Sequence, residues 1–257
     1  MDSFQTHYAD IRDPSQQPRV VALLRDEGLV TFSGITDRTE LAAIAGRLMA
    51  IRPHRDAGPD GVTMITGTQT AGRGYAAFTD AELIPHTDGS SVPDPPGLLL
   101  LACQQPADEG GTTLVADGAR IIGTLASQHR DALTALYAPR AAFFGTAGGH
   151  LGPVCEATGA QRTSLRLRLD DLAWFSSGAT AAIPLLRAVI GQHVETFRLQ
   201  RGEGLILSNT RWLHGRERYA GHRIMLRILG DPLSGTGIMP GFRSQSPAPG
   251  AETPRAA

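Results

Sequence analysis

Short apolar runs separated by polar turns recur through most of the chain, a pattern typical of a mainly β protein. The clearest run spans residues 98–102, where four leucines and an alanine occur without a polar residue, and it predicts a strand buried in a sheet. Other segments predict strands at residues 29–32, 63–65, 113–116, 140–144, 163–169, 196–199, 204–207 and 223–229.

Apolar residues recur three and four positions apart in other segments, which predicts helices at residues 18–27, 37–51, 118–137 and 181–190. Asp37 is a suitable N-cap for the second of them. Residues 67–74 contain three glycines and predict a mobile loop that could close over a substrate. A second glycine-rich loop covers residues 145–152, and the tail at 244–257, rich in Pro, Ala, Ser and Gly, predicts disorder.

A chain of 257 residues with 41% hydrophobic content can bury one substantial core. We therefore expect a single catalytic domain over residues 1–243, followed by the tail at 244–257. Short strands with flanking helices fit a mainly β fold of the distorted jelly-roll type, the double-stranded β-helix, in which separated strands converge on one open end. That fold expectation also draws on the family resemblance described below.

Charge and composition exclude several function classes. The formal net charge of -1 gives no reason to expect nucleic acid or a membrane as partner. All 24 basic residues are arginine, which excludes lysine-dependent chemistry such as Schiff-base, pyridoxal-phosphate and P-loop mechanisms. The two cysteines, Cys103 and Cys155, form neither a disulfide framework nor a zinc knuckle, and no secretion or membrane signal is present, so we expect a cytoplasmic protein.

Four histidines are followed two positions later by an acidic residue, and the predicted backbone distinguishes these pairs. Residues two apart share a face on a strand but not on a helix. His129/Asp131 and His193/Glu195 belong to helical segments and are expected on helix surfaces, whereas His54/Asp56 is expected as a surface pair in a polar loop. His86/Asp88 lies between an extended segment and the buried strand at 98–102, so this pair alone is expected at the mouth of a sheet.

A second imidazole, His214, follows much later and precedes Arg223 and Arg227. Two neutral imidazoles and one carboxylate on one face of a metal leave open positions, which is the arrangement of non-haem Fe(II) oxygenases. His86, Asp88 and His214 are therefore the candidate catalytic and metal-ligating residues.

Two further motifs carry a family resemblance. The turn Gly110-Gly111-Thr112-Thr113 ends 25 residues after Asp88, and the segment from His214-Gly215-Arg216 to His222-Arg223-Ile224-Met225-Leu226-Arg227 lies nearer the C-terminus. With the His86/Asp88 pair, these motifs resemble the taurine dioxygenase and clavaminate synthase-like family over roughly residues 20 to 235. The resemblance implies a jelly roll that binds Fe(II), 2-oxoglutarate and O2.

The resemblance also implies residue roles. His86, Asp88 and His214 would bind iron, Thr113 and Arg223 would grip the far carboxylate of 2-oxoglutarate, and Arg227 would contact an acidic group of the substrate. Positions 223 and 227 share a strand face, and the short spacing from His214 leaves open which of the two arginines holds the co-substrate.

Each of these residues also has a plainer interpretation. Thr113 could be an ordinary strand threonine, and Arg227 could be a surface arginine or a partner of Asp231. In the alternating segment at 166–171 the even-numbered side chains could line the pocket. Within this segment, Asp170 is a candidate contact for the cationic end of a substrate. Alternatively, Asp170 pairs with Arg168 on the surface.

The resulting hypothesis is an oxygenase that hydroxylates an unactivated C–H bond of a small anionic metabolite, such as an amino acid, and releases succinate and CO2. The carboxylate of Asp88 argues for oxygenation, because halogenating relatives lose it to make room for chloride. A zinc-dependent jelly-roll hydrolase or isomerase, and a non-catalytic iron or 2-oxoglutarate sensor, stay open as alternatives. The expected partner is a small-molecule substrate, and a homodimer would be unsurprising.

Overall fold

The structure is a computed structural model that describes residues 3–67, 74, 76–159 and 161–244. The predicted loop at 67–74 and the predicted disordered tail lie almost wholly outside these residues. The helices are α1 (Ser3–Thr6), α2 (Gln17–Asp26), α3 (Arg38–Gly46), α4 (Gly118–Gln128), α5 (Arg130–Tyr137) and α6 (Ser177–Gln192), with 3-10 turns at Pro14–Gln16 and Ala76–Phe78.

The strands of the described residues are short, and most pair with a neighbour distant in sequence. They are β1 (Leu29–Phe32), β2 (Met49–Ile51), β3 (Thr63–Thr66), β4 (Leu83–His86), β5 (Leu98–Gln105), β6 (Glu109–Gly110), β7 (Thr113–Asp117), β8 (Ala142–Phe144), β9 (His150–Gly152), β10 (Cys155–Ala157), β11 (Arg162–Leu165), β12 (Ala173–Phe175), β13 (Val194–Phe197), β14 (Gly204–Ser208), β15 (Trp212–Arg216), β16 (Tyr219–Ala220), β17 (Ile224–Pro232) and β18 (Phe242–Arg243).

Two antiparallel sheets form the centre of the molecule. The larger has the strand order β1-β14-β5-β17-β2, with β3 also paired to β17, and the smaller has the order β13-β7-β15-β4. Side chains from both sheets share one apolar layer, in which Leu99, Leu205 and Met225 of the larger sheet meet Val115 and Trp212 of the smaller. Because strand side chains alternate between faces, the neighbouring residues point outward into separate cores.

Helices cover those outer faces. Val20 and Leu24 of α2, with Leu41 of α3, pack on the larger sheet. The helices α4, α5 and α6 pack over the smaller sheet around Ala116 and Leu213. The prediction of a mainly β chain with flanking helices is confirmed. No helix in the described part of the chain has the length and apolarity needed to cross a membrane.

Most predicted elements differ by a few residues from the structure, and the loop predicted at 145–152 contains β9; three elements differ more substantially. The helix predicted at 37–51 begins as expected, with the Asp37 side chain accepting from Glu40 N, but it ends at Gly46, and residues 49–51 form β2 against β17. The helix predicted at 118–137 is two helices broken at His129. The strand predicted at 163–169 ends at Leu165, because residues 166–169 lack a partner strand among the described residues.

Candidate metal centre and its pocket

The candidate metal ligands come from the two strands at one end of the smaller sheet. His86 is the last residue of β4, and His214 lies directly opposite it on β15. Asp88 follows two residues after His86, in the turn that leaves the sheet. One ligand atom from each of the three residues lies within 4.8 Å of the others. The Nε2 atoms of His86 and His214 lie 3.6 and 3.8 Å from Asp88 Oδ1.

The imidazoles are arranged as metal ligands require. His86 Nδ1 donates to the Ile84 carbonyl at 2.9 Å, which fixes the ring and leaves Nε2 facing Asp88. His214 is buried, and this burial, together with the neighbouring His86, lowers its pKa to about 3. A neutral imidazole has a free lone pair, so the donor set of two imidazoles and one carboxylate fits an Fe(II) ion.

Arg227 and Asp88 form a buried ion pair beside this cluster. Arg227 Nη1 donates to Asp88 Oδ2 at 3.0 Å, which leaves Oδ1 directed at the imidazoles. Burial alone would raise the pKa of Asp88, but the Arg227 guanidinium outweighs it and holds that pKa far below its ordinary value. The structure therefore places Arg227 on the candidate ligand itself, and Asp231 pairs with Arg52 instead.

Asn209 holds the backbone of Asp88 and was missed in the sequence analysis. Its Oδ1 accepts from Asp88 N at 2.7 Å, and its Nδ2 donates to Asp88 O at 2.9 Å and to Pro96 O at 2.8 Å. The side chain is buried, and it is the single asparagine of the chain, five residues before His214. Both ends of its amide are used, so it fixes the turn that carries Asp88.

A cavity of about 660 Å³ opens beside the cluster. His86, Asp88 and Arg227 line it together with apolar residues such as Phe78 and Leu229. The polar walls also hold an ion pair and a histidine–carboxylate contact. Arg168 and Asp170 are joined by contacts of 2.5 and 2.7 Å, and His54 lies 3.2 Å from Asp56.

Two side chains lie in other places than the sequence predicts. His54 does pair with Asp56, but it lines the cavity beside the candidate metal ligands. Arg166 does not share the cavity with Arg168, because the strand ends before it. Its guanidinium instead donates to the carbonyls of Ser90, Val92 and Pro93.

The two remaining pairs of a histidine and an acidic residue lie apart from the cavity. His129 and Asp131 fall at the start of α5 and are partly or fully exposed, as expected. His193 and Glu195 are not on a helix surface, because α6 ends at Gln192 and Glu195 belongs to β13.

The residues expected to hold 2-oxoglutarate lie deeper between the sheets. Thr113 begins β7, opposite Arg216 of β15, and is buried. Arg223 directly precedes β17, is 6% exposed, and lies over the Tyr219 ring at 5.6 Å. Neither Thr113 nor Arg223 belongs to the described lining of the large cavity. The structure thus brings His86, Asp88, His214 and Arg227 together, and sets Thr113 and Arg223 in an adjoining region.

Comparisons with known proteins agree with this architecture. The family model described as taurine catabolism dioxygenase TauD, TfdA family matches residues 3–229. Among solved structures, asparagine oxygenase (AsnO) is similar with a TM-score of 0.68 at 19% identity, covering 90% of this chain and 85% of that one.

Two other oxygenases are similar to a comparable degree. The non-haem iron oxygenase OrfP, solved with Fe and α-ketoglutaric acid, has a TM-score of 0.60 at 17% identity, over 88% of this chain and 86% of that one. The PvcB protein from Pseudomonas aeruginosa has a TM-score of 0.65 at 17% identity, over 86% and 81%. At these identities the structural likeness shows the fold alone. The family model covers most of the chain, and because of this match the chain belongs to the TauD/TfdA family of dioxygenases.

Proposed function

We propose that this dioxygenase uses Fe(II), 2-oxoglutarate and O2 to hydroxylate an unactivated C–H bond of a small amino acid or related acidic metabolite, with release of succinate and CO2. The observation that carries the proposal is the convergence of two imidazoles and one carboxylate within 4.8 Å at the wall of a 660 Å³ cavity. A structural zinc site would instead be closed by a fourth protein ligand, and none is found among the described residues.

His86, Asp88 and His214 would hold the iron. When bound, iron and 2-oxoglutarate supply the oxidising chemistry, and the protein supplies position, electrostatics and exclusion of water. Arg227 keeps Asp88 ionised and Asn209 holds its backbone, so Asp88 can offer Oδ1 without first losing a proton. His86 is fixed through Nδ1, so its lone pair needs no reorientation.

Arg223 and Thr113 would hold the far carboxylate of 2-oxoglutarate. Of the two arginines left open by the sequence, Arg227 is bound to Asp88, whereas no hydrogen bond from the Arg223 side chain occurs among the described residues. A buried guanidinium without a carboxylate partner is unfavourable, and an incoming carboxylate would satisfy it in the two-pronged geometry that arginine favours. The free arginine is therefore the better candidate for the co-substrate.

The substrate would occupy the large cavity, where every arginine is already paired with a carboxylate. A zwitterionic amino acid suits such walls. Its carboxylate can bind the arginine of an ion pair and its ammonium can bind the acidic residue, so that both charges of the opened pair are compensated. Asp170 and Arg168 would be the exchanging pair, with Arg227 and Asp88 behind them. Two of the similar structures carry amino-acid products, 3-hydroxyasparagine in asparagine oxygenase and 3-hydroxyarginine in OrfP, which supports this substrate class.

We also propose that the fold is a double-stranded β-helix, which is supported by the two facing antiparallel sheets with candidate ligands at one end of β4 and β15. We propose that residues 1–243 form a single catalytic domain.

The test is a screen of amino acids and small acids for release of succinate by the iron-loaded protein, with His86→Ala as the control. We expect release that depends on one substrate class and is absent from the variant. Turnover of an ester or amide by the zinc-loaded protein without 2-oxoglutarate would favour the hydrolase alternative. Tight binding of iron and 2-oxoglutarate with no succinate from any compound would favour the sensor.

A further inference from the structure

A second buried arginine, Arg216, lies beside Arg223. It ends β15, two residues after His214, and is 3% exposed. Because alternate residues of a strand share a face, Arg216 points to the same side of the sheet as His214. Thr113 is its direct partner across the β7–β15 ladder, as Val115 is the partner of His214. Val115 belongs to the apolar layer between the two sheets, so Arg216 and Thr113 face that interior as well.

The Tyr219 ring connects the two arginines. The guanidinium carbons of Arg216 and Arg223 lie 4.7 and 5.6 Å from the centre of that ring. A side chain at Gly111, two residues before Thr113, would come within 3.4 Å of Arg223 Cδ. Arg216, Arg223 and Thr113 therefore border one small region between the sheets.

No carboxylate of the described residues lies within 4.0 Å of the Arg216 or Arg223 guanidinium, and the charge of Asp80 reaches Arg216 only from beyond that distance. Arg216 donates one hydrogen bond, to the Ala81 carbonyl, and its buried Nε has no partner. Burial, followed by the nearby charge of Arg216, lowers the pKa of Arg223 to about 10. Two like charges buried against one tyrosine ring are unfavourable unless an anion compensates them.

We propose that Arg216 acts with Arg223 and Thr113 to hold the far carboxylate of the dicarboxylate co-substrate, which then lies between two guanidiniums. This inference rests on the proposed use of 2-oxoglutarate and adds a residue to its subsite. The second guanidinium increases the preference for a 2-oxo acid with a second carboxylate over one that ends in a methyl group. Arg216 thereby links the co-substrate subsite to the candidate ligand His214 on a single strand.

The test is anaerobic calorimetry of 2-oxoglutarate binding to the Mn(II)-loaded protein, a redox-inert form. Arg216→Met should weaken this binding at least about tenfold, the loss expected when one charge-assisted contact is removed. The matched control is Arg218→Met, which removes the same charge from an exposed position two residues further along the chain and should change binding less than about twofold. Mn(II) affinity should be the same in all three proteins.

A structural role for Arg216 predicts a different result. The comparison ligand is 2-oxobutyrate, which has the same chelating end but lacks the far carboxylate. A binding role leaves its affinity unchanged in Arg216→Met, whereas equal losses for both 2-oxo acids would overturn the proposal. Arg216→Lys keeps the charge and should bind 2-oxoglutarate with intermediate affinity, and it decides the question if Arg216→Met does not fold.

Two further outcomes separate this inference from the proposed function. If Arg223→Met abolishes binding of 2-oxoglutarate while Arg216→Met behaves like Arg218→Met, the inference fails and the function stands. If the wild-type protein binds Mn(II) but not 2-oxoglutarate, the function and the inference fail together.

Discussion

Replacing Asn209 by alanine is predicted to loosen the turn that carries Asp88. The variant loses three hydrogen bonds of 2.7 to 2.9 Å and leaves one backbone N–H and two carbonyls buried without partners. At about 1 kcal/mol net for each bond, with a further cost for the unpaired groups, the free energy of unfolding should fall by about 3 to 5 kcal/mol. A domain stable by roughly 5 to 15 kcal/mol can lose this amount and still fold.

The same change should weaken Fe(II) binding by about 10- to 100-fold, because the partners that orient a ligand contribute to metal affinity. Urea denaturation of the metal-free protein measures the first effect, and anaerobic Fe(II) titration measures the second. Thr210→Val is the matched control. It removes two buried hydrogen bonds next to Asn209, the 2.7 Å contact from Gly241 N and the 3.4 Å contact with Ser208 Oγ, and neither involves Asp88. This control should lose about 1 to 2 kcal/mol and bind Fe(II) normally.

Equal Fe(II) affinity in Asn209→Ala and Thr210→Val would refute the reasoning. That result would mean that Asp88 keeps its position without Asn209, through Arg227 alone.

Three other changes have definite expected outcomes. Arg227→Met leaves the buried carboxylate of Asp88 without its cation, so the metal-free protein should lose about 3 to 5 kcal/mol in urea denaturation, whereas Arg227→Lys should retain most of the stability. Arg166→Met frees the carbonyls of Ser90, Val92 and Pro93, so the amide hydrogens of residues 90–92 at the cavity wall should exchange faster and the substrate KM should rise, with Fe(II) affinity unchanged. Both cysteine thiols are buried, and burial raises the pKa of Cys103 to about 11, so alkylation at mildly alkaline pH should require unfolding; rapid labelling of the native protein would contradict this.

The sequence was most informative where local pattern decides structure. The strand Leu29–Phe32 has the predicted bounds, and Asp37 caps its helix as expected. The His86/Asp88 pair was separated from three similar pairs by the backbone expected around each one. In the structure its atoms meet those of His214, because β4 and β15 are adjacent.

Features that depend on distant partners could not be read from local pattern. Residues 49–51 continue an apolar helical spacing but become a strand, because β17, far along the chain, pairs with them. The bond from Asp88 N to Asn209 spans 121 residues, and that from Arg227 to Asp88 spans 139. The expected contact of Arg227 with the substrate stays a prediction, since Arg227 lines the cavity, but its ion pair with the candidate metal ligand Asp88 is not visible in local pattern.

Arginine side chains serve three different purposes around this centre. Arg227 neutralises a ligand carboxylate, Arg166 holds the loop at the cavity wall, and Arg223 has a buried guanidinium without an anion. Only the last arrangement calls for a ligand, and this distinction underlies both proposals. Counting arginines near a cavity would not have revealed it.

The most direct test of the central claim is anaerobic visible absorption of the metal-free protein on addition of Fe(II) and then 2-oxoglutarate, repeated with His86→Ala. A weak charge-transfer band should require both additions in the wild-type protein and be absent from the variant. Absence of the band from wild-type protein that binds Fe(II) by equilibrium dialysis would show that this site does not hold 2-oxoglutarate on iron.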